Sequence, residues 1–186
     1  MRVIFAMLLV GCSISPDDVT HDGPNLLRNG SFEVGDTKGF VAEWENFDMN
    51  PDGDIVVVSD SYAGAKALRW QLDTVDGWEY FVIQHGLDLH SGHRYVLSGW
   101  YFADADGIAL NFIVRGDPEQ DSEVETVMSG SPYPEVIGEW APFRFEMVLP
   151  SPEPTSWMLY LHSIKFNHVA TNLTVDDVQL VEMLPP

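Results

Sequence analysis

The sequence predicts an all-β fold, a β-sandwich built as a single domain. Three observations carry that expectation. Twelve prolines and fifteen glycines punctuate short apolar runs, at a spacing that suits strands joined by turns and interrupts helices. Several of those runs alternate apolar with polar residues, the period-two signature of a strand with one buried face. The chain has 186 residues, 45% hydrophobic and 12% aromatic. A domain of that size buries about 70% of its unfolded surface, enough for one core.

The leading segment reads separately from the domain. Met1-Arg2 is followed by eight apolar residues, 3–10, too short to span a bilayer and suited to a secretory signal. Leu9-Val10-Gly11-Cys12 resembles a bacterial lipobox. Cys12 is the only cysteine, which excludes an intrachain disulfide, and its position after a signal core and a small residue suits a lipid carrier. By this resemblance more than one acyl chain is attached, which makes a stable anchor. The expected division is therefore a signal peptide over 1–11, a lipidated cysteine with a flexible tether over 12–24, and a β-sandwich over 25–186. Pro16, Gly23 and Pro24 keep the tether irregular. Ser13 stands where an aspartate would favour inner-membrane retention. The expected location is the bacterial cell envelope, extracytoplasmic, with the outer membrane favoured and membrane contact through the lipid alone.

Within the domain each element has its own signal. Residues 25–33 run apolar and polar around an Asn29-Gly30 turn and read as a first strand. Residues 40–44 read as a short strand, 51–54 as a turn, and the apolar run 55–58 as a central strand. Residues 67–72 place Leu68, Trp70 and Leu72 on one face. Residues 78–85 place Phe81 and Ile83 on one face, with Trp78, Tyr80, Val82 and Gln84 on the other. Residues 95–101 set Tyr95, Leu97 and Tyr101 against Ser98 and Trp100. The turn 104–107 leads into 108–115, with Leu110, Phe112 and Val114 inward and Asn111, Ile113 and Arg115 outward. Residues 116–134 read as a surface excursion bracketing one weak strand. Phe143, Phe145, Met147 and Leu149 alternate against Arg144 and Glu146; Trp157, Leu159 and Leu161 alternate against Met158, Tyr160 and His162. In the last strand Leu173 and Val175 are odd but Val178 and Leu180 even, so a bulge or bend is expected across Asp176-Asp177. There is no internal repeat.

Charge excludes some functions. Nine basic and 29 acidic residues give a net charge of -20, which repels nucleic acid and anionic membranes. The first and last strands carry carboxylates that would meet if the ends meet. Converging carboxylates call for a cation, and calcium is the hard-cation choice for oxygen ligands. Packed together without one, they would force a carboxyl pKa upward.

Five stretches in order carry a wider resemblance. They are Asn25-Leu26-Leu27-Arg28-Asn29-Gly30-Ser31-Phe32-Glu33, Ser61-Tyr62-Ala63-Gly64-Ala65-Lys66-Ala67-Leu68, the run from Tyr80-Phe81-Val82-Ile83-Gln84 to Gly99-Trp100, Glu139-Trp140-Ala141-Pro142-Phe143 with its following strand, and Leu173-Thr174-Val175-Asp176-Asp177-Val178-Gln179-Leu180. Together they resemble the carbohydrate-binding modules of the family 4, 9, 16 and 22 kind, jelly rolls of the galactose-binding-like class. The resemblance implies a structural Ca2+ held by Glu33 and Asp176, with Asp177 as the alternative, and by carbonyls of 35–38 and 61–64. It also implies polysaccharide or glycan binding without cleavage.

Sugar rings stack on exposed aromatics, and their hydroxyls need planar polar partners. Phe81, Leu97, Phe112, Phe145 and Leu159 are expected to line the core, as are Trp44, Trp70, Trp140 and Trp157. The outward set left over is Trp78, Tyr80, Gln84, Trp100, Asn111, Arg115, Tyr160 and His162, the expected carbohydrate-binding residues. Family 22 resemblance implies a tyrosine and, two positions on, an acid; Tyr160 matches, but His162 replaces the acid. No nucleophile elbow, phosphate loop or singled-out carboxylate pair points to catalysis, and His90 and His93 read as a solvated turn. The chain is expected not to be an enzyme. The alternatives are a structural or protein-binding lipoprotein that lacks a sugar site, and a small lyase or hydrolase on the same fold.

Overall fold

A computed structural model describes residues 23–48, 53–72, 80–116, 127–130, 136–165 and 170–183. Ten strands are found there: β1 (Glu45–Asp48), β2 (Gly53–Val58), β3 (Ala67–Leu72), β4 (Tyr80–Leu87), β5 (Arg94–Ala103), β6 (Ile108–Gly116), β7 (Val127–Gly130), β8 (Trp140–Val148), β9 (Trp157–Lys165) and β10 (Thr171–Met183). They form two antiparallel five-stranded sheets. The first has the order β1-β4-β9-β6-β7 and the second β2-β3-β10-β5-β8. This is the β-sandwich jelly roll that the sequence predicts.

The core lies between the sheets. Val82, Phe112, Val114, Trp157, Leu159 and Leu161 point into it from the first sheet; Leu68, Trp70, Leu97, Phe143, Val175 and Leu180 meet them from the second. Phe112 and half-buried Phe145 touch across the gap, their ring centroids 4.5 Å apart. Burial of each such side chain is worth about 1.5–3 kcal/mol, so packing rather than strand propensity sets the parity. The middle strands β5 and β10 are sheltered on both faces. Even Ser98, Thr174 and Asp176 are buried there.

β10 carries the expected bulge. Its register against β5 shifts between Asp176 and Gln179, and Asp177 takes φ 48°, so Leu173, Val175, Val178 and Leu180 all reach the core. The two ends of the domain do meet. Leu26 N–H donates to Leu180 O at 2.8 Å, and Val178 N–H donates to Gly30 O at 2.9 Å.

Four expectations need correction. Residues 25–33 are not a regular strand: Asn29 and Phe32 have φ 51° and 58°, so the segment turns repeatedly while its side chains plug the core end. Residues 40–44 hold only an isolated bridge, Gly35 to Val41; Glu43 at φ 70° breaks the run, and pairing starts at Glu45. β2 is an edge strand, not a central one, and only Ile55 of its apolar run is fully buried. In β4 the parity is inverted. Val82 enters the core and Phe81 and Ile83 face outward, because β4 pairs Phe81 with His162 and Val82 with Leu161.

Candidate functional site

The outer face of the first sheet gathers most of the described candidates. Register sets Phe81, His162 and Asn111 side by side across β4, β9 and β6; the next row is Ile83, Tyr160 and Ile113, and Arg115 follows beside Met158. The ring of Phe81 meets Tyr160 edge-on at 5.8 Å and tilts over His162 at 4.7 Å. The Arg115 guanidinium lies 5.8 Å from the Tyr160 ring centre, within cation–π range. Tyr160, Phe81, Ile113 and Arg115 are half-buried, whereas His162 and Asn111 are buried.

His162 and Asn111 touch through Nε2 and Nδ2. Among the described residues the imidazole Nδ1 meets no side-chain hydrogen-bond partner, only the Ser163 backbone. Burial pushes the His162 pKa down to about 4, so the ring is neutral at physiological pH. A neutral imidazole, an amide, a guanidinium and two aromatic rings thus share one sheet face. That combination can stack on an apolar ring face and hydrogen-bond hydroxyls, with Arg115 as its one charged group.

Two expected members are elsewhere. Gln84 points to the inner side with Leu159 and is fully buried. Its Oε1 accepts from Arg28 N–H at 2.9 Å and its Nε2 donates to Arg28 O at 2.8 Å, so it anchors the leading segment. Trp100 belongs to the second sheet, in β5, and lies nearly buried under Tyr62. Tyr80 opens β4 opposite Asp48, and its side chain lies outside the described residues, as do Trp78 and Cys12. Phe81 and Ile113 join the face instead. Phe81 was legible only from its pairing, since both parities of residues 80–84 read apolar. Trp44, Trp70 and Trp157 are in the core as expected; Trp140 is half-buried outside it.

The second candidate place is where the leading segment meets β10. Asn25 Oδ1 accepts from Leu180 N–H at 2.9 Å and its Nδ2 donates to Val178 O at 3.1 Å. Glu33 Oε1 accepts from the N–H groups of Ala65 and Lys66, at 2.7 and 3.0 Å, and these bonds hold its carboxyl below the usual range. Asp176 Oδ2 accepts from Ala63 N–H at 2.9 Å and Oδ1 from Asp177 N–H at 2.7 Å; burial nevertheless pushes this carboxyl up. Both carboxylates therefore fasten the same turn, residues 61–66. The glycine there is required: a Cβ on Gly64 would stand 2.1 Å from Glu33 Oε1, and its φ is +69°.

A hard cation fits this place in part. Glu33 and Asp176 supply oxygen donors from both chain ends, and buried Asp176 carries a cost that a cation would relieve. Asp177 does not fit, since both of its carboxylate oxygens face Gln179 Nε2 at 3.4 Å. The Lys66 ammonium donates to Glu33 O at 2.8 Å, placing one positive charge beside the carboxylate already. Among the described residues no trio of His, Cys, Asp and Glu is grouped for a metal, so further ligands would be carbonyls.

The fold has solved counterparts. The chain is 21% identical to a xylan-binding domain of Paenibacillus barcinonensis, with a TM-score of 0.55, covering 88% of this chain and 97% of that one. A module solved with β-1,4-galactotriose is 17% identical, with a TM-score of 0.58 and coverages of 86% and 99%. A sugar-binding protein assigned as such in Bacteroides thetaiotaomicron is 12% identical, with a TM-score of 0.60 and coverages of 86% and 100%. These likenesses concern the fold. No curated protein matches the chain. The model of the carbohydrate binding domain family matches residues 24–167, most of the sandwich, and the chain belongs to that family.

Proposed function

We propose that the chain binds a polysaccharide or other glycan, without cleaving it, on the outer face of the first sheet. The observation that carries this reading is the grouping of Phe81, Tyr160, Arg115, Asn111 and His162 on neighbouring strands. A pyranose would lay its C–H face on the Tyr160 and Phe81 rings. Arg115 would take its hydroxyls, with Asn111 and neutral His162 buried beside the rings. One structural counterpart is a xylan-binding domain and another holds β-1,4-galactotriose, which supports a β-linked polysaccharide. Affinity electrophoresis in gels containing xylan, galactan or β-glucan tests the site. Tyr160→Ala is expected to weaken retention about tenfold, the loss of one stacked ring. Retention unchanged in that variant removes this face, and turnover of any of these polymers overturns the non-catalytic reading.

A structural Ca2+ at Glu33 and Asp176 belongs to the same proposal, as does anchoring through Cys12 at the bacterial cell envelope, outer membrane favoured. Replacing Cys12 with serine is expected to move the protein from the membrane to the soluble fraction. The second reading is a structural or protein-binding lipoprotein on the same fold. Burial of Asn111 and His162, and a histidine where family 22 has an acid, favour it. Wild-type protein that binds no glycan decides for it.

A further inference from the structure

We propose a second sugar-stacking platform on the outer face of the opposite sheet, built on Tyr62. It rests on the glycan chemistry of the family but not on the face carrying Tyr160. Tyr62 lies parallel to Trp100, with ring centroids 3.7 Å apart and planes 12° apart. Trp100 is only 7% exposed and Tyr62 is 43% exposed. One face of the tyrosine ring is thus seated on the tryptophan, and the opposite face meets water. Trp140 stands edge-on to the same ring at 6.0 Å, and Phe102 tilts against Trp140 at 5.9 Å.

The ring is also held from behind. Tyr62 sits in the 61–66 turn, where Asp176 accepts from Ala63 N–H and Glu33 accepts from Ala65 and Lys66 N–H. An exposed aromatic fixed by both its backbone and its stacking partner loses little freedom when a ligand covers it. Pre-ordering of that kind is what binding surfaces gain from.

The row next to Trp100 carries one guanidinium, Arg69, lying over buried Thr174. Arg69, Thr174, Phe102 and Trp140 are cross-strand neighbours on β3, β10, β5 and β8, all on the side away from the core. Arg69 Nε donates to Thr174 Oγ1 at 2.8 Å, and its Nη2 pairs with Asp60 Oδ2 at 2.9 Å. The planar groups at this end compensate each other in charge. With a net charge of -20 on the chain, the surface suits the hydroxyls of a neutral glycan over an anionic one. The row crosses four strands, about 14 Å at the usual strand spacing, so it accepts a chain and not only a single ring. Two platforms on opposite faces would let one molecule bridge two glycan strands.

Calorimetric titration of the full chain with xylo-, cello- and galacto-oligosaccharides tests this. Wild type is expected to bind two equivalents of one of these series. Tyr62→Ala with Trp140→Ala is expected to leave one equivalent, Tyr160→Ala to leave the other, and Tyr62→Phe to keep both. If the first variant loses all binding and Tyr160→Ala loses none, the first face is wrong and this platform stands. An unchanged stoichiometry and affinity in Tyr62→Ala with Trp140→Ala overturns the platform. So does the absence of binding by wild type, or sedimentation in which that variant loses only self-association. Melting curves of each variant identify any loss that comes from unfolding.

Discussion

His162 concentrates the site's chemistry into one titration. Its folded pKa of about 4 lies below the ordinary 6.5, so the unfolded chain takes up a proton first as the pH falls. The stabilising contribution is complete above pH 6.5 and is lost between about 6.5 and 4, up to about 3 kcal/mol. His90 has the opposite sign. Its hydrogen bond to Glu153 raises its pKa, so that contribution is present below the ordinary value and fades as the pH rises. Urea unfolding of wild type and His162→Gln at pH 7 and pH 4.5 separates the two. The advantage of wild type should shrink by about 2–3 kcal/mol on acidification, and a pH-independent difference would contradict the burial account. The outward parity of His162 and Asn111 was legible from alternation. Their burial was not, because it depends on neighbours contributed by separate strands.

At the scale of elements, alternation succeeded where one parity was clearly the more apolar. β3, β6, β8 and β9 had that form, and their inward residues are the expected ones. β4 did not, since Phe81, Val82 and Ile83 are all apolar, and the tie was broken by pairing with β9, beyond the reach of local sequence. That single inversion sent Gln84 to the core side and brought Phe81 to the face. The β10 bulge was legible because two parities met at Asp176-Asp177. The approach of the leading segment to β10 has its own requirement: a Cβ on Gly30 would stand 2.0 Å from Val178 O. Gly30→Ala is expected to cost about 1–3 kcal/mol in chemical denaturation, since backbone must move to admit the methyl. Gly35→Ala, with its nearest atom at 3.5 Å, should stay within about 0.5 kcal/mol. Equal losses in the two would mean that the close approach is not what matters.

For the whole molecule, the excess of 29 acidic over 9 basic residues strains the compact state by self-repulsion. Any salt should therefore raise the melting temperature somewhat. A bound Ca2+ adds a separate increment that grows with its free concentration over the dissociation constant. Melting with calcium, with chelator and with sodium chloride at matched ionic strength resolves them. Calcium is expected to raise Tm beyond the sodium control, and Glu33→Gln to remove the excess. Equal Tm in calcium and in matched sodium would mean that backbone amides and the nearby Lys66 charge, without a cation, hold these carboxylates. The sandwich as a whole was legible in composition and punctuation, and the meeting of the chain ends in their carboxylates. The division of aromatic residues between two opposite faces was not, because strand order is set by long-range pairing.

Gly23 rests against Val181 and Glu182, so the two described ends of the sandwich emerge side by side. Force applied between those ends would peel the leading segment from β10 one bond at a time, Leu26 to Leu180 before Gly30 to Val178. Peeling needs less force than dragging paired strands past one another. Under tension the seam between the ends would yield first, while the sheet that bears Tyr160 kept its shape.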